Sequence, residues 1–172
     1  MTPQEARAAA AVIGGQLQQE WKTTARVLGA VPEGNKDWKP DPKSRSAWDL
    51  AVHTAAADIW FLDALLNGAF GNDPEGEAKL KAAAPTPSAL AAWYSATFPA
   101  RLEQVLAMPD SKFTDIIDFF GMKNPAIVYL NFCLVHGVHH RGQLSTYLRP
   151  MGGKVPAIYG GSADEPFPGA PA

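Results

Sequence analysis

A chain of 172 residues with 47% apolar content suffices for one domain that buries roughly 70% of its unfolded surface, so a sizeable core is expected. A formal net charge of -2 and the lack of any basic run argue against a nucleic-acid partner, because neutralising phosphates takes concentrated lysine and arginine. No stretch approaches the roughly 18 uninterrupted apolar residues of a membrane-crossing helix, and the start lacks the basic-then-apolar layout of a secretory signal, so we expect a soluble, cytoplasmic protein with no membrane partner.

In chain order, Thr2-Pro-Gln-Glu5 is a capping box with proline at the first helical position, and it predicts a helix start. Ile13, Leu17, Trp21, Ala25 and Leu28 follow at the three-to-four spacing of one buried stripe, up to Gly29. Residues 30 to 43 hold Pro32, Gly34, Pro40 and Pro42 around Trp38, and read as an ordered loop whose tryptophan packs back on the fold. A second helix opens near Ser44 or Ser46 and runs through His53, Trp60 and Leu65 to Gly68. Residues 69 to 86 read as loop with a helical turn at Glu77 to Ala83. Thr86-Pro87 then caps a third long helix, which Pro99 should kink and Pro109 should end. Phe113 to Phe120 is β-branched and aromatic, hence an extended segment or a short strand. A fourth long helix begins at Asn124-Pro125 and reaches about Leu148. The pattern predicts an all-α fold, four long helices with long crossover connections, in a single domain over residues 1 to 160. A Pro/Gly-rich, poorly ordered tail is expected over residues 161 to 172.

Three of the four histidines lie in His136-Gly-Val-His139-His140-Arg-Gly-Gln143 on the last helix. Residues four apart share a helical face, so His136 and His140 can grip one ion, and His53 can join them if the second helix packs alongside. Tyr129, His136, Gln143 and Tyr147 fall within about 20° of one line, with His140 about 40° to one side. Such a polar stripe toward a core is costly without partners, which a metal and its waters can supply. His139, about 60° off on the other flank, is an outer or surface residue rather than a ligand. Spacing alone leaves two readings open, a metal site and a set of satisfied core histidines. The lone Cys133 cannot form an internal disulfide. It lies one turn before His136, as an inert buried thiol or as a fourth ligand that would close the site. The pattern is not the zinc-protease His-Glu-x-x-His, since Gly137 stands where that motif has its general base. Asp49 is placed four residues before His53 and can orient that ring, whereas Asp58, about 140° from His53, points elsewhere. Arg141 and Arg149 can receive an anionic substrate, although Arg141 lies off the ligand line and reads as a surface or interface residue.

The closing motif, His136-Gly-Val-His-His140-Arg141-Gly142-Gln143-Leu144, continues through Tyr147-Leu-Arg-Pro-Met-Gly152 and Val155-Pro-Ala-Ile-Tyr159-Gly160. Together with Trp48, His53 and Trp60-Phe61-Leu62, it resembles the DinB/YfiT-like family of metalloproteins, from the first helix to about Gly160. The resemblance implies a four-helix bundle and one divalent metal, zinc or nickel, held by His53, His136 and His140. It also implies a stress-related setting, and the aromatic-rich first and third long helices could give a homodimer. Characterised relatives include enzymes that use low-molecular-weight thiols, so a thiol S-transferase acting on a small molecule is the leading expectation. A metal-dependent hydrolase and a non-catalytic metal- or ligand-binding stress protein are the alternatives. Asp49, Tyr129, Cys133, His139, Gln143 and Tyr147 are the candidates to surround the ligands.

Overall fold

The structure is a computed structural model and describes residues 1–167. Helix α1 spans Pro3–Gly29 and starts as its capping box predicts: the Thr2 hydroxyl accepts from the Glu5 amide at 3.2 Å, and Glu5 accepts from the Thr2 amide at 2.7 Å. Its buried line is made of small residues, Ala6, Ala10 and Gly14, continuing to Leu17 and Leu28, while Ile13 and Trp21 sit half-buried at its edge. The sequence stripe is therefore shifted, because close helix contact selects small side chains. A Cβ on Gly14 would lie 2.6 Å from the Leu106 side chain.

After a 3-10 turn at Glu33–Asn35, Ser46 caps α2, Ala47–Asn67, by accepting from the Asp49 amide, and Gly68 ends it at φ 73°. This helix is buried on nearly every side, including Leu50, Thr54, Asp58 and Leu62. The expected helical turn is a short helix, α3, Gly76–Ala83. Helix α4, Pro87–Leu106, is capped by Thr86 and runs through Pro99 without a break. Pro109 then opens a second 3-10 turn, Asp110–Thr114. The aromatic segment thus splits, with strand β1, Ile116–Phe119, pairing antiparallel with β2, Met122–Pro125, in the register Ile116 to Pro125 and Phe119 to Met122. Phe120 and Gly121 turn this hairpin at φ 50° and 88°, and Asp118 accepts from the Gly121 amide. Helix α5, Ala126–Leu148, carries the histidine motif.

Helix α1 packs on α4 and α5, and α2 packs on the same two, so α1 and α2 face each other across one diagonal. The chain reaches those diagonals by the long connections before α2 and before α5. Trp38, in the first of them, packs edge-on against Tyr147 at 5.4 Å. Among the described residues no helix is long and apolar enough to cross a membrane. The expected loose tail folds back as far as it is described: Asp164 pairs with Arg149 at 2.6 Å and accepts from the Val155 amide, and Glu165 accepts from the Ala157 amide. Residues 168 to 172 of that tail lie outside the described residues.

Candidate metal centre

Packing of α2 on α5 brings His53 against the one-turn pair His136 and His140. Ring centroids are 5.3 Å apart for His53 and His136, 4.9 Å for His53 and His140, and 4.4 Å for His136 and His140. One nitrogen from each ring lies within 4.8 Å of the others, and all three residues are half-buried, so the cluster reaches solvent. Phe61 flanks it, 5.5 Å from the His136 ring, and joins it to an aromatic group of Trp60, Phe70 and Phe119.

Behind the rings stand oxygen atoms. The Nδ1 of His53 is 2.8 Å from Glu77 Oε1 on α3, and Glu77 also pairs with Arg45. The Nδ1 of His140 is 3.0 Å from Gln143 Oε1, and the Gln143 amide donates on to the Tyr147 hydroxyl at 3.3 Å. The Nδ1 of His136 faces Asp58 Oδ1 at 3.8 Å. A carboxylate can only accept, so the His53 Nδ1 that meets Glu77 carries the proton, and the lone pair of that ring is left on Nε2. Burial holds the His53 imidazole below its ordinary pKa, with Glu77 pulling the other way. Burial also takes His140 down to about 4, opposed by Gln143. These two rings are therefore neutral near pH 7, the state a metal ligand needs. The donor set fits a divalent ion on chemistry alone: three imidazoles, with Nδ1 engaged on oxygen in two of them.

The surrounding candidates separate clearly. Gln143 holds His140, and Tyr147 is one step further out. Asp49 does not orient His53; it pairs with Lys81 at 2.5 Å and helps cap α2, because Glu77 already occupies the Nδ1 side of that ring. Tyr129 is buried away from the cluster. Its hydroxyl donates to the Met122 carbonyl and its ring meets Phe70 at 5.2 Å, which fastens the hairpin to α5. The Cys133 thiol donates to the Asp58 main-chain carbonyl at 3.6 Å, and burial pushes its pKa up, so it is not poised as a thiolate ligand. His139 touches His140 at 4.7 Å but lines a surface groove with Gln16, Glu20 and Tyr159.

Arg141 is neither a surface residue nor free for substrate. It is 1% exposed and pairs with Glu20 on α1, and it donates to the Tyr159 hydroxyl at 2.6 Å. Arg149 is engaged by Asp164. Asp58, set aside because it points away from His53, does so in order to reach α5. Its signal was a lone acid inside Ala55-Ala-Ala-Asp58-Ile-Trp60-Phe61, an otherwise apolar run. Glu77 left no readable signal, since nothing in its local pattern says which helix α3 leans on.

The sequence and the fold resemble those of known proteins. The family model described as the DinB family matches residues 13–167. An uncharacterized protein of Bacillus subtilis (strain 168), YjoA, is 26% identical over 129 residues, which is 75% of this chain and 82% of that protein. A second uncharacterized protein of that organism, YrdA, is 38% identical over 56 residues, 33% of this chain and 34% of its own length. The crystal structure of the DinB-like YjoA superposes with TM-score 0.67 at 22% identity, covering 85% of this chain and 96% of that one. A DinB-like protein from Bacillus cereus ATCC 10987 gives TM-score 0.64 at 22% identity, covering 83% and 92%.

Proposed function

The chain belongs to the DinB family, and from that premise we propose that His53, His136 and His140 hold one divalent ion, zinc or nickel, in a metal-dependent enzyme of the thiol S-transferase type. The observation that carries this reading is the convergence of three imidazoles, with one nitrogen of each within 4.8 Å of the others and each Nδ1 facing a protein oxygen. Zinc sites that serve structure alone usually have four protein ligands. Here the one nearby thiol, Cys133, is directed to the α2 backbone instead, so three ligands favour a reactive site over a purely structural one.

When bound, the ion would lower the pKa of a substrate thiol toward neutrality and hold its sulfur as thiolate. The chain's own part is orientation. Glu77 and Gln143 fix two rings, and the two carboxylates nearest the cluster, Glu77 and Asp58, stand behind the imidazoles rather than in front. The thiol proton then leaves to solvent or buffer. The sulfur lone pair forms a bond to an electrophilic carbon as that carbon's bond to its leaving group breaks. Phe61 supplies an apolar flank that restricts water on the α2 side of the site.

Protein purified without chelator should hold about one divalent ion per chain, and His53→Ala, His136→Ala and His140→Ala should each lose most of it. Metal content unchanged in all three variants would end the reading. The metal-loaded protein, given alkyl and aryl electrophiles with a panel of cellular thiols, should consume both partners in equal amounts. Turnover of model esters or amides without thiol would instead assign a hydrolase.

A further inference from the structure

Asp58 is 3% exposed, and its carboxylate is engaged on one side only. Oδ2 accepts from the Tyr94 hydroxyl at 2.7 Å, whereas Oδ1 has no hydrogen-bond partner among the described residues. The atom facing it across the helix interface, Nδ1 of His136, is also buried and also without a partner, and the two are 3.8 Å apart. A buried carboxylate left on a single hydrogen bond is costly, so the arrangement calls for a donor at Oδ1. Arg141, a buried cation whose charge is felt at Asp58, makes its hydrogen bonds to Glu20 and Tyr159 and none to Asp58.

The approach itself depends on position 137. A Cβ there would lie 3.1 and 3.2 Å from the two carboxylate oxygens, closer than ordinary carbon–oxygen packing. Glycine on α5 therefore leaves room for a carboxylate from α2.

We propose that Asp58 is a positioning residue for His136: its Oδ1 draws the imidazole proton to Nδ1 and so presents the Nε2 lone pair to the other two rings, with Gly137 as the residue that permits the contact. The inference rests on the metal reading of the site, and with it all three ligands share one design, an oxygen behind each ring from Glu77, Asp58 and Gln143.

Two substitutions separate this role from simple packing. Asp58→Asn keeps the shape, and its carbonyl oxygen can still accept from Tyr94. Because the buried Tyr94 hydroxyl needs that acceptor, the amide nitrogen is turned toward His136. There it donates to Nδ1 and drives the ring proton to Nε2, where it competes with the ion, as the wrong tautomer does in a catalytic triad. Asp58→Ala imposes no tautomer, but opens a cavity and strands the Tyr94 hydroxyl.

Zinc affinity, measured by competition with a chromophoric chelator, should therefore fall in the order wild type, Asp58→Ala, Asp58→Asn, with roughly a 10- to 100-fold loss for the asparagine variant. Thermal stability of the metal-free proteins should run the other way between the variants, with alanine the less stable. Side-chain nitrogen NMR of metal-free wild type should show His136 protonated on Nδ1, shifting to Nε2 in Asp58→Asn. An alanine variant worst on both scales, or a wild-type His136 protonated on Nε2, overturns the proposal. If wild type binds no zinc, the metal reading fails, and the tautomer result still decides the role of Asp58.

Discussion

A methyl group at position 137 is a small change with a direct physical reading. It would press on both Asp58 oxygens, so Gly137→Ala should destabilise the fold by about 1 to 3 kcal/mol through overpacking and weaken zinc binding, even though no ligand is altered. Denaturant titration and chelator competition on one preparation check both effects. A gain of stability from the helix-favouring alanine would show that α2 and α5 have slack here. His140 sets a pH dependence. In the folded, metal-free protein it takes up its proton only near pH 4, whereas the unfolded chain does so near about 6.5. Between those values the unfolded chain binds more protons, so stability should drop as pH falls from about 6.5 to about 4, and His140→Gln should flatten that slope. Zinc should likewise persist to lower pH than free imidazole would allow. The three histidines were legible because spacing on a helix fixes which side chains share a face. Asp58 points away from His53, as its helical angle says, and the ring it does face, His136, stands on another helix. Helical angles say where a side chain leaves its helix, not what waits across the interface.

The helices themselves were legible chiefly from their ends. Thr2, Ser46 and Thr86 each accept an amide of the first turn, as their local patterns predict, because a cap is a contact within four residues. Ser46→Ala should therefore cost about 1 kcal/mol in denaturant unfolding without changing metal content. Side-to-side packing was less legible. The buried line of α1 follows alanine and glycine rather than its larger residues, since the closeness of α4 is a property of the pair and not of either sequence. The short strand after α4 was legible in its β-branched and aromatic residues but its hairpin partner was not, for Phe120 at positive φ is a position where asparagine or glycine is usual, and the turn carries no common signature. Helix α3 is short and polar, yet it delivers Glu77 to His53. Glu77→Ala should lower zinc affinity by roughly 10-fold and leave the secondary structure intact by circular dichroism.

Across the molecule, the bundle stands on two diagonals joined by long connections, and few buried polar contacts tie them. Arg141 is the largest of these ties: from α5 it reaches Glu20 on α1 and Tyr159 beyond the last helix. Glu20→Ala should cost about 3 kcal/mol, because it strands a guanidinium that is almost wholly buried, and replacing Arg141 and Glu20 together by apolar residues should recover much of that loss. Sequence reading placed Arg141 on the surface, since arginine usually is there and its partner lies 121 residues away. The diagonal layout was legible in outline, from connections too long for neighbouring helices, but not in which pairs would meet. One connection also does more than span a distance. Because Glu77 reaches the cluster from the segment between α2 and α4, an ion that holds His53 in place should also hold that segment. Amide exchange in Gly76–Ala83 should slow on zinc addition well before exchange in α1 responds, making the short helix between two long ones the gauge of occupancy for the whole bundle.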